Sequence, residues 1–226
     1  MNNADYVRRL ENVIKQMLTP LKDIPFNMVI ESMTGKKVLS YNSSNQEHKE
    51  ILTVLKSAAL LAGNEINKKG ILRSRPNEVG NDIEPFVRNA MNHFMLDAAV
   101  PTCKSGNKKS TGYPDILFWH NKIPYYLECK TYNIENVNTT QRSFYFSPSD
   151  EFKVIYDALH LMLSFEVYNA GEHGRNHIYK CKHFKIVSLE SLSLDVKYEF
   201  NSDNKRMYSG KNGTVVLYEG DINHGK

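Results

Sequence analysis

The stretch Gly112 to Asn133, reading GYPDILFWHNKIPYYLECKTYN, constrains the fold more than any other part of this 226-residue chain. Two runs rich in β-branched and aromatic residues, Pro114 to Trp119 and Pro124 to Tyr132, flank the polar pair Asn121 and Lys122, a pattern that predicts a β-hairpin with a two-residue turn. Such a turn fixes the register. His120 opposes Ile123, and counting outward pairs Leu117 with Tyr126 and Asp115 with Glu128. Opposed side chains share a face with Cβ atoms about 4.5–5.5 Å apart, and Lys130, two residues beyond Glu128, joins that face. Ile116, Phe118, Tyr125, Leu127 and Cys129 take the other face.

Two carboxylates held opposite each other are destabilising unless something positive lies between them, and a hard divalent cation with oxygen ligands is the usual answer. Magnesium fits such a pair best. A lysine beside the ion can orient or help deprotonate an attacking water, while the ion stabilises charge developing on a phosphate, a combination that hydrolyses phosphodiesters. The plainer alternative makes Asp115 a strand-entry cap and leaves Glu128 and Lys130 on a solvated sheet face. Against it, the strand carrying Glu128 and Lys130 is apolar and aromatic on its other side.

Pro114-Asp115, a spacer of twelve residues and Glu128-Cys129-Lys130 resemble the motif of the PD-(D/E)XK nucleases, and the chain as a whole resembles a type II restriction endonuclease. The resemblance implies an α/β fold with a restriction-endonuclease-like core, a central mixed β-sheet flanked by helices. It also implies Mg2+-dependent hydrolysis of double-stranded DNA at a short specific sequence. Asp115 and Glu128 would hold the ion, the Cys129 carbonyl would supply a further oxygen and Lys130 would position the water. Glu84, on the helix before the hairpin, matches a glutamate that often reaches the metal site in such enzymes, although it also suits a capping arrangement with Asn81. A palindromic site cut on both strands implies a homodimer, and a restriction system implies a companion DNA methyltransferase in the host. Two rivals remain: a structure-specific or repair nuclease of the same superfamily, and a non-catalytic DNA-binding module whose acidic pair is structural.

Composition is compatible with this reading without demanding it. A hydrophobic content of 41% supports one domain over residues 1–226, with a catalytic core at about 80–190 and a β-rich extension at about 184–226 that could serve DNA recognition. Net charge is +4, a mild excess suited to phosphate contact. No long apolar run or signal-peptide pattern occurs, and the three cysteines are widely separated, which points to a reducing cytoplasm.

Apolar spacing predicts helices over Ala4–Leu18, Gln46–Ala62, Asn81 or Asp82 to Asp97, and Asp150–Val167. Short β segments are expected within Phe26–Met33 and Lys37–Tyr41, and a polar loop or frayed helix end over Gly63–Gly80. His173, His177, Cys181 and His183 invite a zinc reading, but their spacing does not match paired knuckles, and a strand would simply align His177, Tyr179, Cys181 and His183 on one face. Strands are expected at Phe184–Leu189, Ser193–Phe200 and Thr214–Glu219.

Three polar segments are candidates for DNA contact. Lys104, Lys108 and Lys109 lie in a basic loop ending beside the presumed site, and Gln141 and Arg142 follow the hairpin with donors for phosphates and base edges. The loop Asn201–Gly213 is dense in donors, with Asn204 suited to adenine and Lys205 or Arg206 to guanine. Each suits an ordinary solvated loop as well.

Overall fold

The structure is a computed structural model that describes residues 3–19, 21–108, 111–133, 143–198, 202 and 217. The described residues fall into two compact units, one from residues 1–22 and 195–226, the other from residues 23–194. In the first, α1 (Asn3–Met17) follows the expected amphipathic pattern, with no fully buried residue. No described helix is long and apolar enough to cross a membrane.

The second unit is built on a six-stranded mixed sheet in the order β3-β7-β6-β5-β4, with β2 (Val38–Leu39) parallel to the start of β6. Its strands are β3 (Ile71–Arg73), β4 (Ile116–His120), β5 (Ile123–Tyr132), β6 (Ala158–His173) and β7 (Asn176–Ser188). The predicted hairpin forms with the expected register: His120 opposes Ile123 and Leu117 opposes Tyr126. Asn121 and Lys122 both take positive φ, +49° and +65°, the conformation that lets a two-residue turn match the strand twist. A separate two-stranded sheet pairs β1 (Ile24–Pro25) with β8 (Ser193–Leu194).

Of the region expected as a fourth helix, Asp150–Val167, residues 150–157 are irregular and the rest opens β6, the central strand, parallel to β5 and antiparallel to β7. Phe152, Ile155, Tyr156, Leu159, Met162 and Leu163 do fall at helical spacing, but from Ala158 to Val167 seven of ten residues are apolar and they occupy both faces. A strand covered on both faces needs that composition, and periodicity alone cannot separate it from a buried helix. Conversely, Phe26–Thr34, expected to be β, is the helix α2, which inserts Phe26 and Ile30 into the core. Gly35 ends that helix as its cap, at φ +69°.

Two layers cover the sheet. One face packs under α3 (Gln46–Lys69) and α4 (Gly80–His93), joining Ile51, Leu55 and Val87 to Ile116, Phe118, Leu127, Leu163 and Phe165. The other face packs partly under α2, with Phe26 and Ile30 against Tyr126 and Ala158. Helix α3 runs seven residues further than predicted and stops at Gly70, where φ is +68° and an added Cβ would lie 2.7 Å from Ile178 Cγ2. Beyond it come β3 and the short 3-10 helix Pro76–Glu78, so the Gly63–Gly80 stretch is ordered secondary structure, not a loop. Three of its four basic residues have local partners: Lys68 pairs with Glu65, Arg73 grips Asp82 through two 2.6 Å bonds, and Lys69 lies over the Phe86 ring.

Helix α4 starts one residue before the expected caps, from Val79, with no side-chain cap bond. The Asn81–Glu84 capping arrangement is therefore absent, and Pro85 lies in the second turn, where its missing N–H leaves the Asn81 carbonyl without a helical donor. In β7 an irregularity after Cys181 shifts the register, since Cys181 opposes Val167 while His183 opposes Glu166. That bulge takes His183 off the face shared by Tyr179 and Cys181. Phe184–Ser188 belongs to β7 and so to the main sheet, while nearly all of Asn201–Gly213 and of Thr214–Glu219 lies outside the described residues.

Candidate active site

The hairpin delivers its charged face to one end of a cavity of about 830 Å³, lined by Glu84, Asp115, Glu128, Lys130 and Lys153 among others. Asp115 precedes β4, and its Oδ2 accepts a 2.8 Å hydrogen bond from the Cys129 amide. Strand pairing thus aims one carboxylate. Glu128 is only 4% exposed, which excludes the solvated sheet face as its setting. Its Oε1 accepts a 2.6 Å bond from Lys130 Nζ, and its Oε2 is buried with no hydrogen-bond partner.

The electrostatics follow from this crowding. Burial, then repulsion from Asp115, pushes the Glu128 carboxyl up to about 7, where a proton shared with Asp115 adds to the rise and Lys130 works against it. Glu84, in the second turn of α4, is likewise pushed up to about 7 by burial and by Asp115. It reaches the cavity because the start of α4 lies against β5, where a Cβ on Gly80 would come within 3.7 Å of Thr131 Oγ1. Burial would lower Lys130, but the adjoining Glu128 carboxylate outweighs it and holds the ammonium above its ordinary value. Lys130 therefore keeps its proton at neutral pH. The Cys129 thiol is pushed well up by burial and by the surrounding carboxylates, which leaves its carbonyl as its useful donor atom.

A buried carboxylate oxygen without a partner, beside a second carboxylate, is a site short of positive charge. No three His, Cys, Asp or Glu side chains among the described residues close into a ready-made metal cage. That holds for His173, His177, Cys181 and His183, so the zinc reading has no structural support, and for Glu84, Asp115 and Glu128 as well. Two carboxylates with open positions nevertheless fit magnesium, which usually keeps several waters and takes remaining oxygens from substrate phosphates.

These shifts predict a pH effect in the metal-free protein. Glu84 and Glu128 both have folded-state values raised above 4.5, so the native state holds protons that the unfolded chain has released. Their favourable contribution is complete below about pH 4.5 and is lost as pH rises through about 7. Thermal melts in chelator should show Tm falling between about pH 5 and about pH 8, and a divalent ion should recover the loss at the upper end. A flat Tm across that range would mean that Glu84 and Glu128 are not held above the ordinary carboxylate range.

The sequence did not point to several residues that complete the site. Lys153, hidden in the supposed helix, is 2% exposed and donates to the carbonyls of Gly112 and Pro114 at 2.6 and 2.9 Å. Tyr113 OH lies 2.6 Å from His160 Nδ1 within an aromatic cluster that includes Phe26, Phe144 and Phe146. Tyr145, well exposed, lines the cavity mouth. A lone lysine inside the apolar run FKVIYDALH was the one legible signal.

The candidate DNA contacts are only partly in view. Lys104 is exposed beside the cavity, its amide bonded to the Phe152 carbonyl and its ammonium over the Phe152 ring. Lys108 is exposed and bridges to Thr102. Lys109, Gln141, Arg142, Asn204, Lys205 and Arg206 lie outside the described residues.

Comparisons with known proteins give the family. Residues 20–211 match the model of the type II restriction enzyme MjaV family. The chain is 35% identical over 238 aligned residues to the type II restriction enzyme MjaV of Methanocaldococcus jannaschii, covering 98% of this chain and 100% of that protein. No solved structure gives a significant match. A hairpin that gathers two carboxylates and a lysine at one cavity, in a chain alike over nearly its whole length, places the protein in the MjaV family of type II restriction enzymes.

Proposed function

We propose that the protein cuts both strands of duplex DNA at a short specific sequence, with Mg2+ held by the Asp115 and Glu128 carboxylates and the Cys129 carbonyl. The observation that carries this reading is the buried Glu128 Oε2, which has no partner and lies beside a second carboxylate. The ion, when bound, offsets that charge and stabilises the charge developing on the attacked phosphate. Lys130, which retains its proton, orients the attacking water as a donor and does not serve as the base. Glu84, half-buried with a carboxyl pushed up to about 7, is suited to taking a proton from that water through the cavity.

Type II restriction enzymes as a class act on DNA with a divalent metal; magnesium in particular, a homodimer, a companion methyltransferase and a cytoplasmic setting are the finer parts of this proposal. Lys104 and Lys108 suit phosphate contact from the loop beside the cavity. Asn204, Lys205 and Arg206 are proposed as base-reading residues on composition alone.

Digestion of long unmethylated duplex DNA with Mg2+ should give discrete, reproducible fragments. Nicking confined to junctions or lesions would support a repair nuclease instead. Binding without any cleavage, with Mg2+ or Mn2+, would leave a DNA-binding module.

A further inference from the structure

We propose that Lys153 is a positioning residue of this site, clamping the backbone that carries Asp115, an inference that rests on the reading of Asp115 and Glu128 as the hydrolytic pair. Burying an ammonium is costly unless its protons are used, and an apolar side chain would fill the same space at lower cost. Lys153 uses its protons on two carbonyls, those of Gly112 and Pro114, at 2.6 and 2.9 Å. These groups bracket Tyr113 and end immediately before Asp115.

The clamp is itself fixed from β5. Tyr126 OH accepts the amides of Ile155 and Tyr156 at 2.8 and 3.2 Å, pinning the segment that carries Lys153. Tyr126 lies two residues before Glu128, and Cys129, one residue after it, holds the Asp115 carboxylate through its amide. A closed circuit therefore runs from β5 through residues 153–156 to Asp115 and back to β5. Both ends of Asp115 are set by the strand that carries Glu128 and Lys130. The charge on Lys153 has a second effect, since Asp115, Glu128 and Glu84 all act on it favourably against its burial. A fixed cation behind the acid cluster tempers its repulsion without occupying the ion's place.

The test compares Lys153→Met, which keeps the length of the chain and removes the donors, with wild type on pre-bound duplex and in Mn2+ binding to the DNA-free protein. Misplacing a reacting group by about 1 Å can cost on the order of 10²-fold. The single-turnover rate should fall by roughly 10- to 10²-fold at saturating Mg2+, with DNA affinity unchanged. Mn2+ binding, read by the spectrum of the free ion, should weaken alongside. A wild-type rate and Mn2+ affinity in a folded Lys153→Met protein would overturn the proposal, as would tighter Mn2+ binding with an unimpaired rate. Should that variant fail to fold, Tyr126→Phe decides: it loosens the same segment, so the rate should fall at constant DNA affinity, and an unaltered rate overturns the clamp. Failure of the wild type to cut DNA would instead remove the hydrolytic reading, and the two failures are therefore distinct.

Discussion

Replacing either Asp115 or Glu128 should abolish DNA cleavage while leaving the protein folded and able to bind duplex. The two carboxylates do different structural work, so the variants should separate on stability. Asp115→Ala removes the acceptor for the Cys129 amide, and losing one such bond costs about 0.5–1.5 kcal/mol, or somewhat more where the donor is left buried and unpaired. Glu128→Gln keeps the side chain's shape and removes a buried charge that has one orphaned oxygen and a carboxylate neighbour. It should therefore raise Tm above wild type in chelator at about pH 8, and it should also flatten the pH dependence of Tm. Divalent-ion stabilisation should disappear in both variants, because the ion's ligands are incomplete. Cleavage at the wild-type rate by either one, measured on the cognate duplex in Mg2+, would remove the central claim about this site.

Lys130 should prove nearly as important to the rate and much less so to binding. Its ammonium is pulled against Glu128 at 2.6 Å and lies 5.8 Å from the centre of the Phe144 ring, so its position is set from two sides. Removing one correctly placed electrostatic group typically costs on the order of 10²–10³ in rate, the expected effect of Lys130→Ala in single-turnover cleavage of pre-bound duplex. Lys130→Arg should not rescue it, because a planar fork cannot replace a compact ammonium in a crowded cavity. An exposed sheet lysine would tolerate both changes. Near-normal cleavage by the alanine variant would assign Lys130 to the pairing of Glu128 alone.

These expectations rest on a portion of the chain whose geometry was legible because it is local. A two-residue turn at Asn121-Lys122 and strict alternation determine the hairpin register, which puts Glu128 and Lys130 on one face, while Asp115 lies just before β4 and is aimed by the Cys129 amide. Helices α1, α3 and α4 were readable for a similar reason, since a one-sided apolar stripe of period 3.6 names the element, and in α3 and α4 also its buried face. Even there the ends moved. Helix α3 continues to Lys69 because Ile66 buries, and α4 begins at Gly80 without the cap that Asn81 and Glu84 seemed to offer.

What the sequence could not settle was decided by partners distant along the chain. Ala158–Val167 is a strand because β5, β7 and layers on both faces of the sheet surround it; the same apolar run, with one face in water, would suit a helix. Phe26–Thr34 is a helix because its Phe26 and Ile30 find a core formed with Tyr126, Ala158 and Leu189. Lys153 lies in a run whose spacing suits a helix, and only tertiary folding brings its ammonium to the carbonyls of Gly112 and Pro114, some forty residues earlier. The identities of the acid pair and its lysine were thus written locally. Their burial, which pushes Glu128 and Glu84 up to about 7 and gives the site its need for a cation, came only from elements that meet in space.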